Sequence, residues 1–190
     1  MKQSLITKQV LPFFIWYALM ILVTIAVDWV LHAFHLVYIG LYLGYVGTLL
    51  IMISFVYSLR KRKIIAVGSP KKLLMMHEYL AWAGSVMVLV HAGIHYHALL
   101  PWLAIVMLLI NVASGLVGKF LLKSSGASLS ASRQALMAAG MSQEAADKKL
   151  FFEAVTVDVM KQWRSIHLPI SIMFGILSLL HIITIFMFGK

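Results

Sequence analysis

Five apolar segments dominate the chain and limit what it can fold into. They cover approximately residues 10–31, 36–59, 77–99, 101–122 and 166–188, and a helix needs about 20 apolar residues to cross a hydrocarbon core. With 62% hydrophobic and 12% charged residues, the chain lies outside the soluble classes. We therefore predict an all-α integral membrane protein, a five-helix bundle forming one domain over residues 1–190. The first segment is too long for a signal peptide and lacks a small-residue cleavage site, so we expect an uncleaved span.

The cations that give the chain its net charge of +10 collect in alternate connections between the segments. One side of the membrane would hold Lys2, Lys8, Arg60, Lys61, Arg62, Lys63, Lys71, Lys72, Lys119, Lys123, Arg133, Lys148, Lys149, Lys161 and Arg164, and the other side only Lys190. The positive-inside rule then predicts a cytoplasmic N-terminus and an external C-terminus. We expect a bacterial or archaeal cytoplasmic (inner) membrane protein whose basic residues face lipid and water, with no nucleic-acid partner.

Two histidine pairs share one spacing. His77 and His91 lie in the third segment and His167 and His181 in the fifth, with thirteen residues between the members of each pair. Fourteen helical steps separate two side chains by roughly 21 Å and return them to within about 40° of one face. The third and fifth spans both start on the cytoplasmic side and so run parallel, which brings His77 level with His167 and His91 level with His181. Ionisable residues in a span are costly, so these histidines should face partners inside the bundle.

The middle of each pair holds a residue suited to a planar cofactor. Gly84 follows His77 by seven residues, and Phe174 follows His167 by seven. Glycine leaves room for the edge of a macrocycle, and an aromatic ring can fill the gap between two macrocycles. Gly84 equally suits close helix packing, and both interpretations stay open.

The chain contains no cysteine. This excludes iron–sulfur clusters bound by thiolates, disulfides, and haem attached through a C-x-x-C-H motif. Histidine is a common axial ligand of haem iron, and two imidazoles on opposite faces complete a six-coordinate iron.

The paired H-x13-H motifs resemble those of the bis-haem b-type cytochromes, the cytochrome b and ferric-reductase-like membrane domains. The resemblance covers about residues 77–181 and implies two haem b groups. His77 and His167 would bind the inner haem iron, and His91 and His181 the outer one. His95 is an alternative to His91, because it returns to nearly the same face eighteen residues after His77.

Related reductases usually add a sixth span and then flavin and nicotinamide domains, whereas this sequence contains no G-x-G-x-x-G motif. We therefore expect an electron-transfer subunit of an oxidoreductase complex. Its partners would be an iron–sulfur, flavin or c-type cytochrome subunit, with quinone or quinol as a further electron carrier. The alternative is a histidine-lined metal or proton transporter without haem, which predicts carboxylates among the membrane histidines.

Other polar residues lie where they can contact the haems or the membrane surface. Lys72 and Arg164 can pair with the propionates of the inner haem. Asp28, His32, His35 and His95 form either a quinone or proton site near the outer haem or a polar belt at headgroup level. Asn111 can bond to a neighbouring helix.

The connection at residues 123–163 should form two cytoplasmic helices divided at Gly140, with Ser142 starting the second. Phe151, Val155 and Val159 recur at a helical spacing, so this amphipathic region should lie on the membrane or bind a partner subunit.

Overall fold

The computed structural model describes residues 10–94 and 99–188, and every regular element there is helical. The helices are α1 (Leu11–Ala33), α2 (Ile39–Ser54), α3 (Val56–Lys61), α4 (Pro70–Ile94), α5 (Leu99–Leu116), α6 (Lys123–Ala138), α7 (Gln143–Lys149) and α8 (Phe151–Phe188), with a π-helical turn at Val117–Leu122 between α5 and α6.

Five of these helical segments are long and apolar enough to cross a membrane. They are Leu11–Ala33, Ile39–Lys61, Pro70–Ile94, Leu99–Phe120 and Ser165–Phe188. The predicted number of apolar helices is therefore confirmed. Two helix starts differ most from the prediction. Helix α4 begins at Pro70, seven residues before the predicted start, because proline suits the first turn of a helix. Helix α8 continues from Phe151 into the last span without a break.

Gly40, Gly44 and Gly47 form a small-residue stripe in the second apolar segment, which predicts close contact with another helix. In the structure these glycines bring α2 and α4 together. A Cβ atom added to Gly47 would lie 2.8 Å from the carbonyl oxygen of Gly84, and one added to Gly84 would lie 2.8 Å from that of Gly47. A Cβ on Gly40 would collide with Ile94 of α4. Gly84 thus faces α2, in the position that the helix-packing interpretation describes.

The bundle divides into two closely packed groups. Helix α4 packs mainly on α2 and α1, and α5 packs mainly on α8, whereas backbone contact between α4 and α8 is sparse among the described residues. One buried apolar cluster joins the groups: Met20, Leu31, Ile51, Val86, Leu89, Val90, Leu108 and Phe174. Large apolar side chains also cover the outside of the spans, as expected where hydrocarbon replaces water.

In the connection between α5 and α8, the predicted division at Gly140 and helix start at Ser142 are confirmed. The predicted second helix is not continuous, because α7 ends at Lys149 and α8 begins at Phe151. Gly140 has φ of +83°, which suits the turn after α6, and the hydroxyl of Ser142 accepts a hydrogen bond from the backbone N–H of Ala145 at 3.3 Å. Arg133 of α6 forms an ion pair with Asp147 of α7. Phe151 remains 58% exposed and Val155 44% exposed, so part of the predicted apolar stripe is uncovered.

The close contact between α2 and α4 can be tested with two alanine substitutions. Gly84→Ala places a methyl group 2.8 Å from the backbone of α2, so we expect it to lower the free energy of unfolding in detergent by about 1–3 kcal/mol. Gly175→Ala is the matched control, because nothing lies within 4 Å of its new Cβ. A control variant as unstable as Gly84→Ala would contradict this packing.

Candidate functional site

The four histidines of the H-x13-H motifs meet in two pairs between α4 and α8. The ring centroids of His77 and His167 lie 6.4 Å apart, and those of His91 and His181 lie 6.5 Å apart. The first histidine of α4 thus faces the first of α8, and the second faces the second, so the two helices run parallel. We call His77 and His167 the first pair, and His91 and His181 the second pair.

Both α4 histidines use one ring nitrogen to contact α2. Nδ1 of His77 lies 3.1 Å from the Ser54 carbonyl oxygen, and Nδ1 of His91 lies 3.0 Å from that of Gly40. A carbonyl oxygen only accepts, so each Nδ1–H must be the donor. In a neutral imidazole this leaves the lone pair on Nε2. A hydrogen bond from the second ring nitrogen is the usual way in which proteins orient a metal-binding histidine.

The local structure of α2 explains how these two carbonyl oxygens become acceptors. Helix α2 ends at Ser54, where the last carbonyl groups lack helical partners. The His77 ring donates a hydrogen bond to one of these carbonyl groups, that of Ser54. Gly40 lies inside α2, but its carbonyl oxygen has a second lone pair. The His91 ring reaches it by lying directly on Gly44, where an added Cβ would come within 2.7 Å of the ring. Gly44 is therefore a contact of the second pair as well as a helix-packing glycine.

On the opposite side, α5 contacts His167. Nδ1 of His167 lies 2.5 Å from the hydroxyl oxygen of the buried Ser114. An added Cβ on Gly115 would lie 3.5 Å from the ring, which is an ordinary contact distance. Asn111 also bonds across this interface, because its side-chain oxygen lies 2.7 Å from the Ser171 hydroxyl. The expected bond from Asn111 to a neighbouring helix is thus present.

The separation of the paired rings suits a single metal ion between them. With metal–nitrogen bonds of about 2 Å, two opposed imidazoles place their ring centroids about 6 Å apart. Among residues 10–94 and 99–188, no three His, Cys, Asp or Glu side chains converge as a metal site. Zinc usually needs three or four protein ligands. Iron in a haem needs only two from the protein, because the macrocycle supplies the rest. The donor set therefore fits haem better than a bare metal ion.

Phe174 lies in the apolar layer between the two pairs. It is 6% exposed and belongs to the buried cluster that joins the two helix groups. Its position, seven residues from both His167 and His181, is the one expected of a ring that separates two cofactors. Gly84, the corresponding residue of α4, instead contacts α2.

Aromatic and basic residues lie near the first pair. The Tyr57 ring is 5.5 Å from that of His77, and the Lys61 ammonium is 5.9 Å from Tyr57. Lys72 is exposed in the first turns of α4. The side chain of Arg164, the other residue expected to bind a propionate, lies outside the described part of the structure.

Glu78 forms an ion pair with Lys119, 2.8 Å apart, beside the first pair. The Lys119 ammonium also lies over the rings of Trp16, Tyr79 and Phe120 at 5.3–5.9 Å. The π-helical turn places Lys119 here. Each charge has a partner, so this cluster ties the end of α5 to α4 and α1.

At the C-terminal end of α1, the structure describes Asp28, His32 and His35 of the predicted polar cluster. Nδ1 of His32 lies 3.6 Å from one Asp28 carboxylate oxygen, while the second oxygen, Oδ1, is buried and has no hydrogen-bond partner among the described residues. An added Cβ on Gly93, two residues after His91, would lie 3.4 Å from that oxygen. His35 adopts φ of +57° in the turn after α1. His95 lies outside the described residues.

Several contacts of the histidine pairs are absent from the predictions made on sequence alone. Ser114, Ser54, Gly44 and Tyr57 all contact a paired histidine. For Ser114 a signal exists, since a polar residue in an apolar span usually has a partner inside the bundle.

Comparison with known protein families, curated proteins and solved structures finds no match to the chain.

Proposed function

We propose that this chain is a membrane cytochrome subunit that carries two haem b groups and transfers electrons across or into the membrane. One observation carries the proposal. Two histidine pairs on parallel helices each hold their rings 6.4–6.5 Å apart, at two levels of the same bundle. An isolated histidine pair could be a packing accident, but its repetition at an equal spacing favours a repeated cofactor.

The surroundings of the pairs support the proposal. The Nδ1–H groups of His77 and His91 donate to α2, which directs both Nε2 lone pairs away from that helix. Helices α4 and α8 have sparse backbone contact, as expected of helices that hold a cofactor between them. When bound, each haem would supply a ferric/ferrous couple that accepts or donates one electron. The apolar cluster around Phe174 would keep water from the space between the two levels.

The charge distribution predicts how the protein is oriented in the membrane. With the basic connections in the cytoplasm, the first pair would lie near the cytoplasmic face and the second near the outside. Electrons would enter or leave through quinone or quinol, or through an iron–sulfur, flavin or c-type cytochrome subunit. The bacterial or archaeal cytoplasmic membrane is the location we propose.

Asp28 and Glu78 are the two carboxylates in the apolar spans. Their contacts distinguish this proposal from a histidine-lined transporter. A cation path would use carboxylates that contact the paired histidines themselves. Glu78 is instead paired with Lys119, and Asp28 contacts His32 near the end of α1.

Single histidine variants test the proposal directly. We expect His77→Ala to remove one haem and His91→Ala to remove the other, because each loses one axial ligand. His35→Ala, in the turn after α1, is the matched control and should keep both. The measurement is haem content and the reduced-minus-oxidised spectrum of the purified variants. Full haem content in both alanine variants would contradict the assignment of ligands.

A glycine variant tests the same geometry without altering a ligand. Gly44→Val forces the His91 ring away from α2, so we expect the affinity for the second haem alone to fall by about 10–100-fold, as when a supporting contact is lost. Gly115→Ala is the control, since its Cβ would meet the His167 ring at 3.5 Å. The measurement is haem retained per chain during titration with a competing apo-protein. Equal losses in both variants would count against the proposed second site.

A further inference from the structure

The hydrogen bonds around His167 differ from those around the two α4 histidines. Nδ1 of His77 and of His91 each faces a backbone carbonyl oxygen, which can only accept. Nδ1 of His167 faces the hydroxyl of Ser114, which can either accept or donate. Which atom carries the proton in this contact therefore depends on the other partners of Ser114.

The second partner of Ser114 decides the direction of the bond. Its hydroxyl oxygen lies 2.8 Å from the carbonyl oxygen of Asn111, which can only accept. Ser114 is 1% exposed, so water does not share in these bonds. The Ser114 hydroxyl has one proton. Because its oxygen and the Asn111 carbonyl oxygen are 2.8 Å apart and the carbonyl can only accept, that proton must lie between them. Ser114 therefore donates to Asn111 and accepts from His167, which requires a proton on Nδ1 of His167 and leaves Nε2 with the lone pair.

We propose that Ser114 is a positioning residue that fixes the tautomer of His167 and lowers the reduction potential of the iron bound by the first pair. The inference rests on the proposed function. A hydrogen bond from Nδ1–H to an acceptor makes the imidazole a stronger base at Nε2. A more basic axial ligand favours ferric over ferrous iron, and second-shell hydrogen bonds are a known means of setting haem potentials. Ser114 thereby distinguishes His167 from His77 and His91, which both donate to backbone carbonyl oxygens.

The same interface supplies a matched control. Ser171 is also buried between α5 and α8, and its hydroxyl lies 2.7 Å from the Asn111 side-chain oxygen and 2.8 Å from the His167 carbonyl oxygen. Among the described residues, its hydroxyl contacts these two oxygens and not the His167 ring. Ser171→Ala therefore removes a hydroxyl of the same kind from the same helix pair. The effect of Ser114 on the ring can be separated in this way from a loss of packing.

The test is a redox titration of the purified full-length chain and its variants. We expect Ser114→Ala to change the ferric-to-ferrous binding ratio of one haem by up to about tenfold, which raises its potential by up to about 59 mV for one electron. The second potential should stay constant, Ser171→Ala should leave both unchanged, and Ser114→Thr should restore the original value through its hydroxyl. Loss of one haem from Ser114→Ala alone would also support the role.

Two results would overturn the inference. Unchanged potentials in Ser114→Ala would mean that another acceptor, such as the Asn111 carbonyl, holds the Nδ1 proton. A shift of equal size in Ser171→Ala would assign the effect to packing. A wild-type chain without haem would contradict the proposed function instead. In that case the ¹⁵N spectrum of labelled histidines still decides the tautomer of His167, which should be protonated at Nδ1 in the wild type and lose this preference in Ser114→Ala.

Discussion

Partly buried imidazole rings lie among apolar helices in this bundle, and the neighbouring helices provide their polar partners. An imidazole carries two nitrogens, and each needs a partner when water is absent. The bundle supplies Nδ1 partners from its own backbone and side chains: Ser54, Gly40 and Ser114. Each of these rings also lies 6.4–6.5 Å, centroid to centroid, from the ring of another histidine. A ligand between the paired rings would complete the set of partners, and for this reason we propose a cofactor at each pair.

The surrounding elements follow from this requirement. Helix α2 ends at Ser54 and so provides a free carbonyl oxygen, while Gly44 lets the His91 ring approach Gly40. Helices α2 and α5 hold the histidine helices from the outside, and α4 and α8 are left with sparse backbone contact. Lys119 and Glu78 join α4 to the end of α5. The proposed cofactor binding would depend on the same helix contacts as stability, so a variant such as Gly84→Ala is best judged by unfolding as well as by haem content.

The sequence was sufficient to predict the five apolar helices, the glycine stripe of α2, the turn at Gly140 and the pairing of the four histidines. It left the surroundings of Gly84 undecided between cofactor and helix packing. Helical spacing places a residue on a face, but the face of α4 that carries the histidines borders both α2 and α8. Ser114 was missed for a related reason. A membrane helix is apolar on all sides, so its amphipathic pattern is weak and does not reveal which polar groups meet.

The central claim is that each histidine pair holds one haem b, and the most direct measurement of it is a pyridine haemochrome assay on the purified wild-type chain. We expect a b-type haemochrome with two haems per polypeptide, released by acid extraction because the chain has no cysteine for covalent attachment. A colourless protein after expression with ample haem, or a ratio of one haem per chain, would contradict it.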